Sequence, residues 1–160
     1  MRSRSKRERG IVLNSEGVRK MWATLEPEVL PKLPAAARNG VATGTAARAE
    51  AGDWKRCIDA LLDIRLLEPD WDGQGAPAPA PELVDSAIVL AVLLRQKNVI
   101  PPTETVQSVA GSVVLNWQWP DQSSFEIDVI APDLADVYLM PAGKPVQHWQ
   151  ISGTGFGART

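Results

Sequence analysis

The sequence predicts an α+β fold, in which a helical N-terminal half packs on an antiparallel β-meander of four to five strands. The hydrophobic period changes from helical to alternating just after Pro101 and Pro102. The turns that follow are too short for parallel strands, which need crossovers of about a dozen residues or more. One face of such a sheet must be covered, and the apolar helix predicted over 81–97 is the expected cover.

Size and composition favour one domain. The chain has 160 residues, of which 44% are hydrophobic, enough for a single core. We expect a domain over 14–151, a basic flexible arm over 1–13 and a flexible tail over 152–160. The longest apolar run, from Ala87 to Leu94, is far shorter than the roughly 20 residues of a membrane span.

Other sequence features bear on the cellular compartment. The N-terminal ten residues lack the apolar core of a secretory signal, and the single cysteine, Cys57, cannot form an internal disulfide. We therefore expect a cytoplasmic protein that contacts no membrane and needs no cofactor.

Three helices are predicted, over about 15–26, 53–67 and 81–97. The first follows Asn14 or Ser15, either of which is a suitable N-cap. The second is predicted to start at Asp53, although Ala46 to Glu50 could open a helix earlier. The third begins with Pro81, a residue suited to the first helical position. The apolar positions of the first two recur at helical spacing: Val18, Met21, Trp22, Leu25, Trp54, Cys57, Ile58, Leu61, Leu62.

Strands are predicted between about 105 and 151. In the segment 112–119, alternation places Val113, Leu115, Trp117 and Trp119 on one face. Similar patterns occur at 125–129, 137–140 and 146–151, and a strand over 105–109 could close a hairpin through Ala110 and Gly111.

A constrained connection follows the second helix. We interpret Trp71, Asp72, Gly73 and Gly75 as a structural turn, in which Asp72 accepts backbone N–H bonds, the glycines take positive φ and Trp71 fills the core between helices. Together with Glu68, the pair Asp70 and Asp72 also suggests an alternative, a hydrolase or a metal-binding protein. Counted as an EF-hand loop from Asp70, however, the final position is Pro81 instead of a bidentate glutamate.

A resemblance rests on two motifs. These are Trp71-Asp72-Gly73-x-Gly75-Ala76 and the hairpin from Val109 to Trp117 after Pro101 and Pro102. Together they resemble a group of small uncharacterised bacterial proteins with a helix-WDGxGA-helix-β-meander layout. The resemblance covers residues from about 54 to 130, and it implies a fold and no established reaction.

Catalytic residues are scarce. His148 is the only histidine, so a Ser-His-Asp arrangement would have to centre on it, and it lies inside a predicted strand. Cys57 lies on the apolar side of its helix, where a cysteine behaves as a small hydrophobe. We expect no enzyme activity.

Charge is unevenly distributed. Residues 1–20 contain seven Lys/Arg against two Glu, a net charge of +5, whereas residues 21–160 contain ten against seventeen, a net charge of -7. The arm could contact nucleic acid, dock on an acidic partner, fold back on its own acidic domain or act as a solubilising tail. Its basic residues are Arg2, Arg4, Lys6, Arg7 and Arg9.

Six tryptophans are many for 160 residues, and tryptophan is common at interface hot spots. We therefore expect a non-catalytic protein–protein interaction module, an accessory subunit of a larger bacterial complex such as a defence or mobile-element system. Its expected interface is Trp117, Trp119 and Trp149. The alternative is a nucleic-acid-binding accessory factor that uses the basic arm.

Overall fold

The fold is α+β, and its helices precede its sheet in the sequence, as predicted. A computed structural model describes residues 15–28 and 45–153. Helices α1 (Ser15–Glu28), α2 (Thr45–Arg65) and α3 (Pro81–Gln96) are followed by five strands. The strands are β1 (Glu104–Gln107), β2 (Val113–Gln118), β3 (Ser124–Ala131), β4 (Leu134–Met140) and β5 (Gln147–Ser152). The sheet is an antiparallel meander of order β1-β2-β3-β4-β5.

Both boundaries of helix α2 differ from the prediction, and α1 continues to Glu28, two residues beyond the predicted end. Helix α2 begins at Thr45, eight residues before Asp53, because the intervening segment is rich in alanine, the best helix former, and outweighs the cost of about 1 kcal/mol for Gly52. The same helix ends at Arg65 and closes with a tighter turn, in which the Leu67 N–H donates to the Ile64 carbonyl.

The end of α3 is fixed by a Schellman motif. Asn98 has φ 58°, the left-handed conformation that ends many helices. Its N–H donates to the Arg95 carbonyl at 3.1 Å, and the Val99 N–H donates to the Leu94 carbonyl at 3.1 Å. The chain therefore turns abruptly from α3 towards the sheet.

The core lies between the helices and one face of the sheet. Alternate strand residues point to this covered face, and the buried ones are Val113, Leu115, Trp117, Phe125, Ile127, Val129, Ala135, Val137, Leu139 and Ile151. They form one cluster with the buried stripes of α1, α2 and α3. Helix α3 supplies Leu83, Val84, Ala87, Leu90, Ala91 and Leu94, so it covers the sheet as predicted.

Two indoles hold the connection between α3 and β1. The Trp54 Nε1–H donates to the Val99 carbonyl at 3.2 Å, and the Trp117 Nε1–H donates to the Ile100 carbonyl at 2.9 Å. Trp117 also contacts Phe125, with ring centroids 5.3 Å apart. Both tryptophans are at most 4% exposed, and each buried N–H has a partner, as burial requires.

The predicted termini are described only in part. The arm over 1–13 and the residues from 154 onwards lie outside the described residues. The predicted tail began at residue 152, but Ser152 belongs to β5 and Gly153 is buried. The Gly153 N–H donates to the Asp133 carbonyl at 2.7 Å. A Cβ added at Gly153 would lie 1.9 Å from the Gly17 carbonyl oxygen, so α1 and the end of β5 pack too closely for any larger residue.

A pair of leucine substitutions near the end of α2 tests the described core. Leu61 is fully buried, whereas Leu66, just beyond the helix, is 77% exposed. Leu61→Ala should lower the free energy of unfolding by about 2–5 kcal/mol, because it removes packed methyl groups and leaves a cavity. Leu66→Ala should change it by less than about 0.5 kcal/mol. Urea unfolding of both variants measures the difference, and equal effects would contradict the packing of α2.

Candidate interaction surface

The side chains that the sequence singled out lie in four places. These are the connection between α2 and α3, a cavity beside Cys57, the covered face of the sheet, which carries the tryptophans, and the opposite face, which carries His148. Their geometry decides which of them can carry a function.

The carboxylates of the α2–α3 connection hydrogen-bond to their own loop. One Asp72 carboxylate oxygen accepts the Gln74 N–H at 2.9 Å, the contact of an Asx turn, and also the Ala76 N–H at 3.0 Å. An Asp70 oxygen accepts the Gly75 N–H at 2.6 Å. Gly73 and Gly75 have φ 69° and 88°, values that glycine adopts without strain.

Trp71 does not occupy the place predicted for it. Its side chain is half-buried and is not a member of the core cluster. The ring closes its own loop instead, because the Nε1–H donates to the Pro77 carbonyl at 3.2 Å. Pro77 in turn lies against the β1–β2 turn, where a Cβ added at Gly111 would be 3.3 Å from the proline ring. The prediction that Trp71 fills the core between helices is therefore wrong.

The geometry of this loop gives no support to acid–base or metal chemistry. Its backbone N–H donors hold the pKa of Asp72 below the ordinary value of an aspartate, whereas a general acid at neutral pH needs a raised one. Within residues 15–28 and 45–153, no group of three or more His, Cys, Asp or Glu side chains could hold a metal ion.

A cavity of about 220 Å³ lies where α2 meets β1. Arg56 and Asp53 form an ion pair of 2.9 Å at its rim, and Cys57 contributes to its wall. The Cys57 thiol is 4% exposed and accepts a hydrogen bond from the Thr105 hydroxyl at 3.3 Å. Burial raises the pKa of this thiol, so it is a poor nucleophile at neutral pH. The cavity is also smaller than the roughly 300–1,000 Å³ of typical ligand pockets.

The tryptophans predicted as an interface lie on the covered face of the sheet. Trp117 is 1% exposed and sits in the core, so the prediction that it forms part of an exposed interface is wrong. Trp119 and Trp149 are half-buried and pack against the same core. The physical reason is strand alternation: Trp117 shares its face with Val113 and Leu115, and this apolar face is the one that the helices bury.

The opposite face of the sheet carries a different set of side chains. We call it the acidic face and define it by Asn116, Glu126, Asp128, Asp136, Tyr138, His148 and Gln150. Strand pairing places them in two neighbouring rows. One row runs Asn116, Glu126, Tyr138, His148 across β2 to β5, and the other continues from Asp128 through Asp136 to Gln150. None of these residues belongs to the core cluster.

Asp136 and His148 organise one side of the acidic face. An Asp136 oxygen lies 3.1 Å from His148 Nε2 and accepts a hydrogen bond from the Gln150 side-chain amide at 3.2 Å. The His148 ring stacks on Tyr138, with centroids 4.6 Å apart and planes 15° apart. The His148 side chain is about half exposed, and the residue lies in β5.

The other side of the face carries Glu126 and Asp128, which form no ion pair within residues 15–28 and 45–153. Asp128 lies directly opposite Asp136 in the β3–β4 pair and next but one to Glu126 along β3. Burial raises the pKa of Asp128, the Asp136 charge adds to this, and a hydrogen bond with Ser112 opposes it. Burial and the Asp128 charge likewise raise the pKa of Glu126. Burial and the charges of Asp136, Asp128 and Glu126 raise the pKa of Tyr138.

Two oxygens of this face lack hydrogen-bond donors. Within the described part of the chain, Oδ1 of Asp128 and Oδ1 of Asn116 are buried and have no hydrogen-bond partner. Leaving a buried acceptor unsatisfied costs about 1–3 kcal/mol. No Lys or Arg occurs from residue 98 to residue 143 or from 145 to 153, so the strands supply no cation to these acids.

The acidic face was only partly foreseen. The alternation predicted over 125–129 implies that Glu126 and Asp128 point away from the covered face, but no role was predicted for Asn116, Asp136, Tyr138 or Gln150. The sequence feature that could have revealed the acidic face is the series of polar residues at alternate strand positions, which includes no Lys or Arg. This pattern predicts which residues face outwards, but their grouping into two rows depends on the register between strands.

Comparisons with known proteins add no assignment. No protein family, no curated protein and no solved structure matches this chain. The resemblance over residues 54–130 therefore stays a prediction. Among residues 15–28 and 45–153, the three helices do not combine the length and the hydropathy of a membrane-spanning segment.

Substitutions of Asp72 test its role in the loop. Asp72→Ala removes the acceptor of two backbone N–H groups and should lower the urea midpoint at neutral pH, whereas Asp72→Asn keeps an acceptor oxygen and should lower it less. A lowered pKa in the folded state means that the stabilisation is present above the unfolded-state pKa of about 3.9 and is lost as the pH falls through the folded-state value. The midpoints of wild type and Asp72→Ala should therefore converge in acid. A difference that persists unchanged in acid would contradict this.

Asp128→Asn tests the electrostatic cost of the acidic face. A raised pKa means that the folded state holds its proton more tightly, so stability falls as the pH rises through the folded-state value. Removing the charge opposite Asp136 should raise the free energy of unfolding at pH 7 by about 0.5 kcal/mol, the scale of a cross-strand pair. The gain should disappear at low pH, where the carboxylates are protonated.

The control for this substitution is Asp63→Asn on α2, where the side chain is exposed. It should leave the free energy of unfolding nearly unchanged. If Asp128→Asn destabilises the protein at pH 7, its carboxylate is stabilising and the account of the face is wrong.

Proposed function

We propose that the protein is a non-catalytic protein–protein interaction module whose docking surface is the acidic face, and that it acts as an accessory subunit of a larger complex. The supporting observation is the pair of rows on β2 to β5, where three carboxylates share one side of the sheet with a stacked Tyr138 and His148. This set differs from the tryptophans predicted from the sequence.

The electrostatics of the face support a protein partner. Like charges placed opposite each other destabilise a sheet, and a partner that brings opposite charge relieves this cost when it binds. A surface that is suboptimal for folding is characteristic of a functional site. The raised pKa values of Asp128 and Glu126 have the same origin, since both report charges held in a poorly solvated place.

Nucleic acid fits this face poorly, because phosphates would be repelled by its carboxylates. The alternative of a nucleic-acid-binding factor therefore depends on Arg2, Arg4, Lys6, Arg7 and Arg9, all of which lie outside the described residues. Titration with DNA and RNA at two salt concentrations tests this alternative, since phosphate contacts weaken steeply as salt rises.

Affinity purification from the organism that encodes the chain tests the proposal. The wild type and Asp63→Lys, which alters the exposed surface of α2, should retain the same partner in stoichiometric amount. Asp128→Lys should lose it, because the substitution reverses the charge at the centre of the acidic face. Urea unfolding of each variant shows whether it is folded. Retention of one partner by all three proteins, or by none, would contradict the proposal.

A further inference from the structure

We propose that the acidic face binds an extended, arginine-bearing segment of the partner, with guanidinium groups seated between the β3 carboxylates and the stacked pair of Tyr138 and His148. This inference rests on the proposed function and adds the chemistry of the ligand. It follows from three properties of the face: its carboxylates without strand cations, the aromatic surface beside them and the spacing of its rows.

The carboxylates call for a cation. Asp128 lies directly opposite Asp136 and next but one to Glu126, and the five strands contain no Lys or Arg. A partner group that compensates these three carboxylates must bring positive charge and several N–H donors. Guanidinium has five donors in one plane and no acceptor, so it can serve two oxygens at once.

The aromatic pair favours arginine over lysine. Tyr138 lies directly opposite Glu126 in the β3–β4 pair and directly opposite His148 in the β4–β5 pair. The two rings are within 15° of parallel. A planar guanidinium stacks on such rings while its edge reaches a carboxylate, whereas a compact ammonium group does not combine the two contacts.

The dimensions of the face suit an extended peptide. Neighbouring strands are about 4.8 Å apart, so the span from β2 to β5 is about 14 Å, and residues i and i+2 on a strand are about 6.6–7 Å apart. The distance between the two rows is therefore close to that between alternate side chains of an extended peptide. A peptide with arginine at every second position can place successive guanidinium groups on successive rows.

The test uses the full chain and a fluorescent six-residue peptide with arginine at alternate positions, at about 0.15 M salt, where weak surface attraction is screened. The wild type should bind it, and the lysine counterpart should bind several-fold more weakly. Asp128→Asn should weaken binding by about fivefold or more, the scale of a lost charged contact at an interface. Binding of the arginine peptide should also weaken as the pH falls through the raised pKa values of Asp128 and Glu126.

Asp63→Asn is the matched control, because it makes the same change in net charge on exposed α2. It should bind the peptide as the wild type does. If it weakens binding as much as Asp128→Asn does, the attraction is non-specific and the inference fails. Equal affinity for the arginine and lysine peptides overturns the arginine assignment.

The chain's own basic arm is a competing occupant. A variant with Arg4→Ser, Lys6→Ser, Arg7→Ser and Arg9→Ser together should bind the peptide as the wild type does. Markedly tighter binding would assign the acidic face to the arm and overturn the inference.

If no arginine peptide binds but partner capture still depends on Asp128, the ligand chemistry is wrong and the proposed function stands. If partner capture does not depend on Asp128 either, the arginine inference and the proposed function both fail.

Discussion

The whole structure depends on the register of one five-stranded sheet against three helices. Successive side chains of a strand point to opposite faces, so a register that buries Val113, Leu115 and Trp117 also turns Val114 and Asn116 outwards. A slip of one residue would move the apolar set to the other side. The packing of the core therefore determines which residues form the acidic face, even though those residues contribute nothing to the core.

This constraint gives the two faces of the sheet different roles: one packs against the helices, and the other is the proposed docking surface. The covered face, the indole contacts to Val99 and Ile100, and the Asx turn of Asp72 each satisfy a packing or hydrogen-bonding need within the chain. The acidic face, in contrast, leaves such needs unsatisfied within the described residues. It leaves acceptors without donors and places Asp128 opposite Asp136, a combination that folding alone does not favour. We infer function from this local departure, since no similar protein supplies it.

Much of the fold followed from the sequence because its signals are local. Pro81 marked the start of α3, and alternation marked β2 and β3. The start of α2 was predicted at Asp53, with an earlier start left open, because the alanines within 46–51 favour a helix whereas Gly52 disfavours one. The position of Trp71 was missed because either the core or the nearby Pro77 carbonyl can satisfy an indole N–H, and only the loop geometry decides between them.

The candidate site was harder to foresee, because it is made by pairing between strands. Glu126 and Tyr138 are twelve positions apart in sequence and become direct neighbours only when β3 and β4 pair. The tryptophan count drew attention to the covered face, where large aromatic residues serve packing. The charge distribution indicates an acidic C-terminal half with few Lys or Arg residues. It does not show that three of the acidic residues lie on one face of the sheet.

Hydroxyl-radical footprinting of the full chain tests the central claim most directly, because it measures which aromatic side chains meet solvent. Tyr138, on the acidic face, should be modified much faster than Trp117, which is 1% exposed in the core, and addition of the bound partner or of the arginine peptide should protect Tyr138 alone. If Tyr138 is as protected as Trp117 in the free protein, the acidic face is covered by the chain itself and cannot be the docking surface.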